Sequence, residues 1–292
     1  KHMKTSTLSF GKYIVLSVLA LGMTISSCKK EEEEVIEPKT GTTAPEPTFS
    51  AHAQVQVPIV LKETGELCPP CGGWGWTNWE TLINDYSSTA FKWANYSNYF
   101  VSNSFFVNSE LDPANSVQNA FQANFPYGGS KPLIYVNGSQ ASSNTGTAQV
   151  TDSKVKIDQS INTPATNVKV SAAYKIKWEG NKITVDAQAK FYQNTGGAYY
   201  MGVYLVEDEV MATQSGQSGI VAHHLAMRGS VEGGVWGKEI VSGTVAADDV
   251  FDETYTTTIP STYNKENITV GVIIWRKNGT KYFYENAATN QE

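Results

Sequence analysis

A pair of cysteines placed just after a buried strand constrains this chain more than any other feature. Val57-Pro58-Ile59-Val60-Leu61-Lys62 is mostly apolar in succession, as in a strand covered on both faces. Glu63-Thr64-Gly65-Glu66-Leu67 follows, then Cys68-Pro69-Pro70-Cys71, then Gly72-Gly73-Trp74 and a run that reads as a helix. Pro69 and Pro70 fit a first helical turn, where a missing N–H costs nothing. Trp79, Leu82, Ile83 and Tyr86 fall on one helical face. A cysteine at a helix N-terminus feels unpaired N–H groups and the positive end of the dipole, and both favour the thiolate. Gly72 and Gly73 fit less well, since each costs about 1 kcal/mol against alanine inside a helix. Either the helix begins later, or another part of the chain approaches the backbone closely there.

The third cysteine belongs to an address. Tyr13 to Met23 is a compact apolar segment behind Lys4 and Lys12, too short for a membrane span and right for a signal-peptide core. Ile25-Ser26-Ser27-Cys28 resembles the bacterial lipoprotein cleavage box. That resemblance implies removal of residues 1–27, lipidation of Cys28 and attachment to the membrane through this anchor. Residues 28–51 then read as a flexible acidic tether, with Glu31 to Glu34 in a row and prolines at 38, 45 and 47. Its charged start resembles the surface-export signal of lipoproteins in Bacteroidetes-type bacteria. The expected location is the outer membrane, at the cell surface or on the periplasmic face.

Length and charge narrow the classes further. A chain of 292 residues, 40% hydrophobic, suits one or two ordinary domains with real cores. The net charge is −6 and no long basic stretch occurs, which argues against nucleic acid as a partner. No Ser-His-Asp order, phosphate loop or HExxH is present, and no cofactor is implied.

Residues 52–162 alternate strand and helix. After the first strand and its helix, Ala90 to Tyr96 reads as a strand. Asp112 caps a helix with Pro113 in its first position, running to about Asn124. Lys131-Pro132-Leu133-Ile134-Tyr135-Val136 is a strand closed by an Asn137-Gly138 turn. A last helix spans Thr147 to Ile161. This order resembles the thioredoxin fold. The resemblance implies that Pro132 is the cis-proline facing the dithiol, and that its backbone helps bind a substrate chain.

Thr163-Pro164 marks a switch to repeated alternation with Gly, Asn and Pro turns. Residues 163–292 are expected to form an immunoglobulin-like all-β sandwich of roughly seven or eight strands, without a disulfide. The expected fold is therefore α+β and multi-domain, a thioredoxin-like α/β domain followed by a β-sandwich. Four motifs, Glu63-Thr64-Gly65 before the cysteines, Tyr204 to Asp208, His223 to Arg228 and Trp236-Gly237, together resemble the Omp28 family of outer-membrane lipoproteins. Leu67 stands where that family usually has Trp, and Gly72 where it often has Pro.

Several chemistries fit these residues. As a redox pair, Cys68 attacks a partner, Cys71 resolves the mixed disulfide and Pro132 shapes the groove. As a permanent disulfide, Cys68–Cys71 closes a loop so small that it gains only about 2 kcal/mol. Zinc needs two further ligands, and the adjacent His223 and His224 on a strand point to opposite faces, so at most one of them joins. His223 reads as a polar strand-end residue, His224 as a half-buried partner of a carbonyl, and Glu207-Asp208-Glu209 as a solvated turn. Trp74 and Trp76, beside glycines, are candidates for an exposed binding platform. The two functions consistent with all this are a binding or adhesion lipoprotein with an envelope or extracellular protein partner, and a thiol–disulfide oxidoreductase.

Overall fold

A computed structural model describes residues 48–97, 111–112, 114–125, 129–141 and 146–292. The expected signal peptide, Cys28, most of the tether and Pro113 lie outside the described residues.

The first strand, β1 (Ile59–Thr64), is buried along its whole length. It pairs in parallel with β2 (Phe91–Tyr96) and antiparallel with β3 (Leu133–Val136). The Asn137-Gly138 turn returns the chain as β4 (Ser139–Gln140), both turn residues having positive φ. Between β1 and β2 lie a single turn, α1 (Pro69–Gly72), and the helix α2 (Trp74–Asp85). The helix α3 (Ser116–Asn124) precedes β3, and α4 (Thr147–Ile161) follows β4. The helix after Asp112 starts later than expected. The Asp112 carboxylate nonetheless caps it, accepting from the N–H groups of Ser116 at 2.7 Å and Val117 at 2.9 Å.

The later strands are β5 (Val170–Glu179), β6 (Lys182–Phe191), β7 (Thr195–Glu207), β8 (Val210–Thr213), β9 (Ile220–His223), β10 (Ala226–Val231), β11 (Lys238–Val245), β12 (Val250–Thr258), β13 (Ile268–Asn278) and β14 (Lys281–Thr289). They do not build an independent sandwich. β10 pairs with β2 in parallel, so one nine-stranded sheet runs β14-β13-β7-β10-β2-β1-β3-β4, with β11 also on β7. β12-β6-β5 forms a separate three-stranded sheet, and β8-β9 a two-stranded hairpin. Glu46–Glu292 is accordingly one compact unit, and the expected division at residue 162 is crossed by a sheet.

The shared sheet is buried on both faces. Along β7, Val203 and Leu205 join the core under the three-stranded sheet, with Val185, Ala187 and Tyr255. The alternate residues Tyr204 and Val206 join the core of the helical side. On that side an aromatic group spans the two expected domains. Phe121 of α3 lies 5.8 Å from Trp275, 6.0 Å from Tyr204 and 5.1 Å from Trp236, and Trp275 donates its indole N–H to the Tyr204 hydroxyl at 2.8 Å. No described helix is long and apolar enough to cross a membrane.

Candidate functional site

β1 delivers two ionisable side chains to opposite faces before it reaches the cysteines. Glu63 faces α3 and accepts from Asn95 at 3.2 Å, Gln118 at 3.3 Å, Gln122 at 3.0 Å and the Lys131 ammonium at 2.9 Å. This buried ion pair holds the residue just before Pro132. Lys62 faces α2. It is fully buried, with its ammonium 5.6 Å from the Trp76 ring and 5.8 Å from the Trp79 ring. Burial pushes its pKa down to about 7, against a smaller upward pull from Glu80.

Cys68 stands at the N-cap of α1, with Pro69 and Pro70 in the first turn. Cys71 donates its N–H to the Cys68 carbonyl at 3.0 Å. The two residues are joined by a disulfide, with their Cα atoms 5.2 Å apart. The Lys131–Pro132 peptide bond is cis, and the Lys131 carbonyl oxygen lies 3.8 Å from the Cys68 sulfur. The structure thus brings Cys68, Cys71 and Pro132 together. Cys68 is 5% exposed and Cys71 not at all.

The β8–β9 hairpin provides the rest of that cover. Its loop follows Thr213, whose hydroxyl donates to the Glu66 carboxylate at 2.7 Å. Ser215 donates its N–H to the Glu66 carbonyl at 2.8 Å. The buried Gln214 amide shares its hydrogens among the carbonyls of Gly65 at 3.2 Å, Glu66 at 3.0 Å and Cys68 at 3.2 Å. Gln217 donates to the Gly72 carbonyl at 2.5 Å. Both alternatives raised by the glycine pair hold: the helix breaks at Gly73, and a foreign backbone presses on Gly72. A Cβ at Gly72 would stand 2.1 Å from the Ser215 carbonyl oxygen.

The base of the hairpin packs on the same helix. His223 does end β9, but it is completely buried there. Its ring bonds the Tyr96 hydroxyl at 2.8 Å and the Thr213 carbonyl at 3.2 Å, and meets Trp76 edge-on at 5.4 Å. Burial is the chief cause that pushes its pKa down to about 4. His224 is paired with the Asp208 carboxylate at 2.8 Å rather than with a carbonyl. Glu207 is also no solvated turn residue: it is buried against Arg228 at 2.7 Å. Trp76 is half-buried between Lys62, His223 and Glu80, to which its indole donates at 2.7 Å, and Trp74 is half-buried too. Among the described residues no three His, Cys, Asp or Glu side chains converge as metal ligands.

Sequence reasoning missed Lys62, His223 as a packing residue, and the whole covering loop. Ser215-Gly216 and Ser218-Gly219 between two short runs were a hairpin signal, but nothing in them tells what the loop lies upon.

Fold and site define a mostly β protein with a few helices, built around one mixed sheet and a covered Cys-x-x-Cys disulfide. No family model matches the chain, and no curated protein matches it in sequence. Among solved structures it is similar to HBP35 of Porphyromonas gingivalis, with a TM-score of 0.64 and 14% identity over 82% of this chain and 76% of that one. A domain of the outer membrane lipoprotein Omp28 from the same organism matches with a TM-score of 0.30 and 21% identity, over 42% of this chain and 94% of that one. At these identities the HBP35 likeness speaks for the fold alone, and the Omp28 match is too partial to carry an argument.

Proposed function

We propose that this chain is a cell-envelope lipoprotein of the Omp28 type, anchored through Cys28, in which a thioredoxin-like part serves as scaffold for binding a protein partner. The observation that carries this reading is the covered disulfide. A disulfide between residues only 5% and 0% exposed, with a hairpin bonded over it, has no room for a substrate thiol as it stands. The β2-β1-β3-β4 order supports the thioredoxin-like description, and the cleavage box at Ile25 to Cys28 supports the anchor. Two measurements test it. Cys28→Ser should move the protein from the membrane to the soluble fraction. The purified chain should give no insulin reduction above the background of dithiothreitol alone, and catalytic turnover there would transfer the function to redox chemistry.

A second reading, a thiol–disulfide oxidoreductase, draws support from one arrangement. Pro132 opens β3 beside the disulfide, with the Lys131 carbonyl against the Cys68 sulfur. In that reading Cys68 is the attacking thiol and Cys71 the resolving one.

A further inference from the structure

The hairpin over the disulfide belongs to neither of the larger sheets. Among the described residues β8 and β9 pair only with each other, Val210 with His223 through Thr213 with Ile220. The hairpin leaves β7 and rejoins β10 through two residues of positive φ that are not glycine, Glu209 at 54° and Leu225 at 58°. Such conformations at element ends are where a rigid piece turns about its neighbours. One carboxylate oxygen of Asp208 holds both of these points, accepting from the N–H of Glu209 at 2.9 Å and of Leu225 at 3.1 Å. At the far end the loop is held by the Gln214 amide, the Ser215 N–H and the Gln217 amide, all bonded to carbonyls around the cysteines. Contact there is close: a Cβ at Gly216 would stand 2.5 Å from the Pro69 carbonyl oxygen.

We infer that the β8–β9 hairpin is a latch, hinged at Glu209 and Leu225 and pinned by Gln214, whose release converts the Cys68–Cys71 disulfide from an inert bond into a thiol-exchange site. Among the described residues β8 and β9 share no rung with the nine-stranded sheet, while the carbonyl of the hinge residue Leu225 keeps the Ala94 N–H at 2.7 Å. The exchange needs a dithiol reductant. One of its thiolates attacks the Cys68 sulfur, the S–S bond breaks, and Cys71 leaves as a thiolate and takes up a proton. The second thiolate then attacks the mixed disulfide and releases Cys68. Two electrons have passed to the pair, and the reductant departs as its own disulfide. The latch concerns the same bond as the second reading, and rests on that reading only for the use the cell makes of the exchange.

The test is the rate at which dithiothreitol reduces the full chain. Gln214→Ala, and Gln214→Glu, which keeps the size but loses the donors, should both be reduced at least about tenfold faster than wild type, the equivalent of losing one to two net hydrogen bonds. Ile183→Ala, in the core under the three-stranded sheet, lowers global stability without touching the hairpin and should react like wild type. Equal rates for wild type and both Gln214 variants would overturn the latch. So would an Ile183→Ala rate equal to theirs, because exposure would then come from global unfolding. Insulin turnover by Gln214→Ala separates the two claims: fast reduction without turnover keeps the latch and removes the oxidoreductase.

Discussion

Lys62 is a cation enclosed by aromatic rings, with no carboxylate in contact among the described residues. The rings return about 0.5–2 kcal/mol, less than the desolvation they impose. Because its folded pKa is pushed down to about 7, the unfolded chain holds a proton that the folded chain gives up. Stability therefore falls as pH drops from about 10 towards 7. Lys62→Met should raise the urea midpoint at pH 7, corresponding to a gain on the order of 1–4 kcal/mol in unfolding free energy, and flatten that slope. A lowered midpoint would mean that the ammonium has a role the packing does not reveal. The neighbouring histidines behave oppositely to one another. His223, pushed down to about 4, is neutral in the fold, so its contribution is complete above its ordinary value of about 6.5 and is lost progressively as pH falls to 4. His224 is raised, chiefly by its hydrogen bond to Asp208, so its contribution is complete below about 6.5 and is lost as pH climbs through the folded pKa. Proton NMR should show one histidine titrating near 4 and another above 6.5, and Asp208→Asn should return the second to its ordinary value.

At the scale of elements, the helical half was largely legible. Thr147–Ile161 follows directly from its apolar register, and Asn137-Gly138 announces its own turn. β1 begins two residues later than its apolar run and extends to Thr64, because Lys62 and Glu63 are buried charges that periodicity counts as exposed. The turn of the hairpin was legible at Ser215-Gly216, but its strands and what they cover were not. Met211 and Ile220 are apolar yet 58% and 67% exposed, so the alternation that marks a half-buried strand is lost from its sequence. Gly72 is the residue where the two elements meet. Gly72→Ala should cost about 1–3 kcal/mol in urea unfolding, because the new methyl meets backbone that cannot swing aside. It should also speed reduction of the disulfide, since the relief available is to push the loop away. An unchanged midpoint with an unchanged reduction rate would mean that the loop is not seated on Gly72 in solution.

Across the whole molecule, a change of periodicity near Thr163 marks a change of local pattern and not of cooperative unit. Strand order is a long-range property: the parallel pairing of Ala226 with Ala94 leaves no trace in the period of either strand. The burial of β7 and β13 on both faces does leave one, as near-continuous apolar runs at Met201–Val206 and Val270–Trp275. Residues 163–292 expressed alone should consequently fail to unfold cooperatively, because Tyr204, Val206, Ile273 and Trp275 would lose their partners. A sharp two-state transition of that fragment would restore the two-domain picture. The intact chain should give one transition by near-ultraviolet and far-ultraviolet signals alike. The same sheet has a consequence in time. β2 meets β10 at Ala94, and among the described residues its Lys92 N–H and carbonyl are closed by the side-chain amide of Gln291, at 2.8 and 2.7 Å. Along the chain β1 and β2 precede both of these partners by more than a hundred residues. They keep an unpaired edge until β10 and then Gln291 are in place, so the first half of this fold is not completed as a unit of its own.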